Sequence, residues 1–193
     1  ENFALMADTP ALLPADQLQR PLAAGAATHL LRGAVRYYHY GQGGTSDHGW
    51  GCGYRTVQTM LSWLTAALPP SVAELQAVLA RAHPAAFPGP RGWIGVNDAV
   101  ILVDDIHGAT VEVVVLPSGG SAATLLPRLA EHFDSGGGPV MVGGGGDPYS
   151  KTVLGVATRP PALLIADPHY AGPPLEAADA SRLESLWHEG WIA

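Results

Sequence analysis

The sequence predicts a single α+β domain in which one strong helix precedes a mostly antiparallel set of strands. The chain has 193 residues, the length of one ordinary domain. Gly (24) and Pro (17) together exceed a fifth of it, which favours a loop-rich mixed fold over a helical bundle. One clear amphipathic pattern stands in the first half, and short apolar runs bounded by turn residues follow in the second.

Residues 1–35 are rich in Ala, Leu and Pro with weak periodicity, and are expected to be a partly ordered lead-in to a domain spanning 36–193. Tyr37–Tyr40 suits a short strand, because aromatics fit a half-buried pleat. Gly41–Gly51 is a polar, Gly-rich loop. Val57, Met60, Leu61 and Leu64 then follow the i, i+3, i+4, i+7 spacing of one buried helical face, which Pro69-Pro70 ends. Ser71-Val72-Ala73-Glu74 has the form of a capping box and opens a second helix through about Arg81. Pro84, Pro88 and Pro90 make a loop. Asn97 can cap a helix over Asp98–His107 with Gly108 as its stop. Thr110–Leu116 is β-rich and predicts a strand, Ser118–Ser121 a turn, and Ala122–Phe133 a helix that Pro127 weakens. Pro139–Val142, Lys151–Thr158 and Ala162–Ala166 predict three short buried strands, the last two joined through Arg159-Pro160-Pro161 as an antiparallel hairpin. Leu175–Trp187 is expected to be helical. There is no internal repeat and no linker.

Composition excludes several classes. Apolar residues make up 47% and charged residues 14%, too apolar for a disordered chain. No apolar run approaches the roughly 18 residues of a membrane span, so direct membrane insertion is not expected. Lys and Arg total 10 against 17 Asp and Glu, a net charge of -7, which argues against nucleic acid and anionic membrane as partners. A basic protein partner stays open, and the oligomeric state is not readable. Cys52 is the single cysteine, so no internal disulfide and no Cys/His zinc cluster can form. This fits a reducing, cytoplasmic location. The Glu-Asn-Phe start shows no secretory signal. The eight His are scattered without metal-ligand spacing, and neither a metal nor another cofactor is expected.

Cys52 is the first candidate for chemistry. It lies just before, or at, the first turn of the strongest helix, where the dipole and free N–H groups favour thiolate. Gly51 and Gly53 leave the sulfur unshielded. A lone cysteine is otherwise most often a small buried hydrophobe. A nucleophilic thiol needs a base, and Asp167-Pro168-His169 follows an apolar strand. In extended chain Asp167 and His169 point to the same side, about 7 Å apart at Cα, so the carboxylate could orient the imidazole. The competing reading is a plain Asp-Pro turn. The Tyr40 hydroxyl could donate to an oxyanion or belong to an edge-strand aromatic. Gly143–Gly146 lacks the Lys-Ser/Thr of a phosphate loop. Trp93-Ile94 suits the core first and a cleft wall second. Asp104-Asp105 suits a solvated helix face.

Tyr38-His39-Tyr40, Gly49-Trp50-Gly51-Cys52-Gly53-Tyr54-Arg55-Thr56-Val57-Gln58-Thr59, Trp93-Ile94-Gly95, Gly138–Gly144, Leu154-Gly155-Val156 and Asp167-Pro168-His169-Tyr170 occur in this order. Together they resemble the ubiquitin-fold-modifier-specific protease (UfSP) family, over residues 35–172 plus Gly190-Trp191, in its short form without a separate N-terminal domain. The resemblance implies a papain-like cysteine protease, its N-terminal catalytic helix packed on a mostly antiparallel sheet. It implies maturation of the modifier's precursor and removal of the modifier from target lysines. It further implies Cys52 as nucleophile, His169 as general base and acid, Asp167 as its orienting partner and Tyr40 as oxyanion donor. Gly51, Gly53 and Trp93 are expected to wall a narrow cleft for the modifier's tail. Ser150-Lys151 stands where some relatives carry His, and no role is carried over there. Two alternatives stand beside this reading: a ubiquitin-directed cysteine protease of a related branch, and a catalytically silent modifier-binding domain.

Overall fold

The computed structural model describes residues 9–17, 26–65, 67–117, 120–144, 147–172 and 187–188. In chain order the elements are β1 (Leu12–Pro14), β2 (Ala27–Leu30), β3 (Ala34–Arg36), α1 (Cys52–Thr65), α2 (Val72–Ala82), α3 (Val96–His107), α4 (Leu126–Asp134), β4 (Val140–Gly144), β5 (Asp147–Arg159), β6 (Pro161–Ala166) and β7 (Trp187–His188), with short 3-10 turns at Ala15–Gln17, Gln42–Gly44 and Ala122–Leu125.

Every strand pairing is antiparallel. β5 is the axis of the main sheet. β6 runs along one edge of it, while β4 takes the first half of the other edge and β2 the second half. The approach of β2 depends on Gly155: a Cβ there would lie 2.6 Å from Leu30 Cδ2 and 3.0 Å from His29 O. β1 and β3 form a separate two-stranded ribbon.

Two apolar clusters fill the interior. One joins the sheet to α4, around Phe133, Val153, Leu154, Leu164 and Ile165. The other joins α1, α2 and α3, around Tyr54, Leu61, Leu75, Leu79 and Leu102. α1 lies between them, packing on β5 and β3 as well as on α2 and α3. Its polar residues are buried too: Thr59 Oγ1 accepts from Tyr38 N–H at 3.0 Å, and Ser62 Oγ from Arg36 N–H at 2.8 Å. The start of α1 is thereby fixed at the seam between the helical and sheet layers.

Several elements follow the expectations. Ser71 and Glu74 form the reciprocal capping box, with Ser71 N–H donating to Glu74 Oε2 at 2.7 Å. Gly108 ends α3 in the left-handed region at φ 60°. Pro127 sits in the first turn of α4, where its missing N–H costs nothing. β5 and β6 form the expected hairpin, with β5 extended back to Asp147 by pairing with β4. Asp104 and Asp105 are exposed, and Asp105 pairs with Arg81 at 2.7 Å.

Others are corrected. The strand near the tyrosines is Ala34–Arg36 rather than Tyr37–Tyr40. The N–H groups of Tyr38 and His39 go instead to Thr59 Oγ1 and Gln42 Oε1, and Tyr40 makes only a single parallel bridge to Ala171. Gly95, not Asn97, caps α3, its N–H donating to Asp98 Oδ2 at 2.8 Å. Thr110–Leu116 is extended but pairs with no strand among the described residues, and Val115 is 82% exposed. Its β-branched composition finds no neighbouring edge, so context overrides propensity. Short strands also occupy the stretch expected as a lead-in, and β2 joins the main sheet. Gly120 N–H closes a turn on Pro117 O, while residues 118–119 lie outside the described residues. The helix expected over Leu175–Trp187 lies outside them too, except that Trp187 stands in β7.

Candidate active site

Cys52 is the first residue of α1 and is buried, 3% exposed. The turn before it is closed by Asp47 O, which accepts from Trp50 N–H at 3.2 Å and Gly51 N–H at 2.8 Å. The thiol therefore stands at the positive end of a 14-residue helix. Burial pushes its pKa up. The His169 side chain, the Ser150 backbone and the Tyr40 hydroxyl more than offset this, leaving the thiol below its ordinary value.

His169 comes from the other side of the seam, in the loop after β6. Its Nδ1 donates to Asp167 Oδ1 at 2.6 Å, and the same oxygen accepts the His169 backbone N–H at 3.0 Å. Burial alone would lower the imidazole pKa. The bond to Asp167 and the neighbouring Cys52 raise it to about 9. Asp167 in turn is held below its usual value: burial raises it, and the imidazole, helped by Lys151, outweighs that. The Asp167 carbonyl accepts from the Tyr37 hydroxyl. A thiol held below its ordinary value beside an imidazole raised to about 9 shifts the pair toward thiolate and imidazolium.

Tyr40 closes the group. Its N–H donates to Pro168 O at 2.9 Å, so the backbone of the His169 loop carries it directly. Its ring meets His169 edge-on at 5.3 Å. Tyr40 Oη and His169 Nε2 are both buried and find no hydrogen bond of regular geometry among the described residues. Each interacts with the Cys52 thiol. Burial, then the thiol, raises the Tyr40 pKa, so its hydroxyl stays protonated and able to donate. The Cys52 thiol, the His169 imidazole with the Asp167 carboxylate bound to it, and the protonated Tyr40 hydroxyl thus converge on one point. Among the described residues no group of three or more His, Cys, Asp or Glu could hold a metal ion.

Of the three residues expected to wall a cleft, only Trp93 is open to solvent, at 47%. Gly51 and Gly53 are buried beside Cys52. A Cβ on Gly51 would lie 2.6 Å from Asp47 Cβ, and one on Gly53 would lie 2.5 Å from Ile94 Cγ1. Their smallness lets α1 start against the Asp47 and Ile94 side chains. Trp93 is not the core residue its sequence context favours: its Nε1–H donates to Gly49 O at 2.8 Å, which holds the ring at the surface.

Four neighbours were given no role in the sequence reading. Tyr149 stands edge-on to His169 at 4.8 Å and also meets Trp93. Lys151 is buried with its Nζ 5.9 Å from the Tyr149 ring centre. Asp47 and Arg55 form a buried ion pair at 2.5 Å under the loop that precedes Cys52. An acid and a base eight residues apart across a Gly-rich loop carry no periodic signal, so nothing in the pattern marks them as partners.

An α+β domain with a thiol at the head of a helix, facing an imidazole and its carboxylate across the seam with an antiparallel sheet, is a papain-like cysteine protease. Residues 26–190 match the family model for peptidase family C78, and the chain belongs to that family. It is 40% identical over 170 residues to Ufm1-specific protease 1 of Mus musculus, covering 84% of this chain and 76% of the mouse protein. It is 35% identical over 189 residues to Ufm1-specific protease 2 of Rattus norvegicus, covering 92% of this chain and 39% of the rat protein. The crystal structure of UfSP from C. elegans superposes with a TM-score of 0.68 at 30% identity, covering 89% of this chain and 31% of that one. The chain therefore spans about three quarters of the mouse relative but well under half of the other two.

Proposed function

We propose that the chain cleaves the peptide bond after the C-terminal glycine of Ufm1, both in the modifier's precursor and in its conjugates on target lysines. The convergence of Cys52, His169, Asp167 and Tyr40 carries this reading, and the names of the relatives supply the substrate. The Cys52 thiolate attacks the scissile carbonyl and forms a tetrahedral oxyanion. The Cys52 backbone N–H and the Tyr40 hydroxyl donate to that oxygen. Imidazolium His169 gives its Nε2 proton to the leaving amine, and the C–N bond breaks to leave a thioester. Neutral His169 then takes a proton from water, whose oxygen attacks the thioester. Collapse returns the thiolate, the imidazolium and a free glycine carboxylate. Asp167 keeps the ring oriented and stabilises its charged form.

Trp93 is proposed to face the modifier's tail, with Gly51 and Gly53 acting through the seat they give α1. One protease domain is proposed, its main sheet taking in β2 from the stretch expected as a lead-in, and a cytoplasmic location is proposed from the lone cysteine. Among the described residues no helix is long and apolar enough to cross a membrane.

The test is a pair of probes, Ufm1 and ubiquitin, each bearing a C-terminal electrophile. The Ufm1 probe should label Cys52 and the ubiquitin probe should not. Preference for ubiquitin would move the chain to the related branch. Binding of Ufm1 without labelling would make it a silent binder.

A further inference from the structure

The Asp47–Arg55 pair is the most deeply buried charge in the described structure outside the reacting groups. Asp47 is 0% exposed and Arg55 2%. Such a pair contributes little net stability once its desolvation is counted, so stability is a poor account of its presence. Its bonds point elsewhere. Asp47 Oδ1 accepts from Gly41 N–H at 2.8 Å, at the residue after Tyr40, where φ is 83°. Asp47 Oδ2 takes Arg55 Nε–H at 2.5 Å, and its backbone oxygen takes the N–H groups of Trp50 and Gly51. The remaining Arg55 groups reach Gln42 O at 2.7 Å and Gln58 Oε1 at 3.1 Å. Gln42 Oε1 in turn holds the His39 N–H at 3.0 Å. Residues 39–42 on one side and 50–55 on the other are thus tied through one carboxylate and one guanidinium. The first group carries the Tyr40 hydroxyl and the second carries Cys52.

We infer that Asp47 and Arg55 are positioning residues that set the Tyr40 hydroxyl against the Cys52 thiol, and so act on turnover through the oxyanion site. Neither touches the reacting atoms. The planar fork matters because three separate acceptors lie around it, which a lysine's point charge cannot serve in one geometry. The inference rests on the oxyanion role proposed for Tyr40.

A double-mutant cycle tests it. The neutral pair Asp47→Asn/Arg55→Gln is compared with Tyr40→Phe and with the combination, reading kcat and KM for Ufm1-precursor cleavage and the rate of Cys52 alkylation by iodoacetamide. Alkylation needs the thiolate but builds no oxyanion. The pair variant should lower kcat by about 10²–10³. KM and the alkylation rate should stay within about twofold, and the combination should be no slower than about threefold below Tyr40→Phe alone. Additive losses, a parallel fall in alkylation, or an unchanged kcat in the pair variant would overturn the inference. If the neutral pair does not fold, Arg55→Lys, which keeps the charge and loses the fork, decides it in the same cycle. A large Tyr40→Phe loss with an additive pair effect overturns the inference alone. Wild-type kcat in Tyr40→Phe overturns the oxyanion reading as well.

Discussion

At the scale of single residues, the site is a problem of proton placement, and its pH dependence follows from two shifts. The thiol is held below its ordinary value and the imidazole is raised to about 9. The proposed mechanism needs thiolate and imidazolium together. kcat/KM should therefore rise with pH through the Cys52 titration, which lies below the ordinary thiol value, and fall as the medium passes about 9 and His169 loses its proton. Asp167→Asn removes the largest group raising His169, so the alkaline limb should move down toward the ordinary value of 6.5 and the plateau rate should drop roughly 10²–10⁴-fold. His169→Ala should cost more still. A pH–rate profile of the Asn variant reads this directly, and an alkaline limb left near 9 would remove Asp167 from the pair. Tyr40→Phe deletes only an oxygen and keeps the ring against His169. Turnover should fall about 10²–10³-fold with modifier affinity and melting temperature nearly unchanged. A sharp fall in melting temperature would instead show the hydroxyl holding the fold.

At the scale of elements, the sequence was legible where local chemistry decides. The capping box at Ser71 and the left-handed stop at Gly108 are written in three or four adjacent residues, and both stand in the structure. Ser71→Ala should remove about 1 kcal/mol, a drop of roughly 2–4 °C in a domain of this size, with activity unchanged. Thermal melts and a cleavage assay check both halves. The sequence was illegible where a distant partner decides. Thr110–Leu116 has the composition of a strand and no edge to pair with among the described residues, while Asp147–Tyr149 lengthen β5 only because β4 lies beside them. The tyrosine run misled for a related reason: α1 and Gln42 supply the acceptors that a neighbouring strand would otherwise offer. Within the site, Cys52 and Asp167-Pro168-His169 were candidates from short local patterns that a buried thiol and a plain turn would also fit, and the family resemblance singled them out. Asp47, Arg55 and Tyr149 were not, since their contacts depend on what folds over them.

At the scale of the whole molecule, the fold brings together groups that lie far apart in the chain. Cys52 heads α1, whose Tyr54, Val57 and Leu61 sit in the helical cluster, His169 lies in the loop after β6, and α1 spans the seam between the two layers. The backbone bond from Tyr40 to Pro168 and the buried Asp47–Arg55 pair fasten the two sides. The central claim is that this assembly cleaves Ufm1 through the Cys52 sulfur. The most direct measurement is Ufm1-precursor cleavage by wild-type protein and by Cys52→Ser, with Ufm1 binding measured on the same samples. A serine hydroxyl in this setting ionises far less readily than a thiol, so cleavage should vanish while binding persists. Undiminished cleavage by Cys52→Ser would contradict the account.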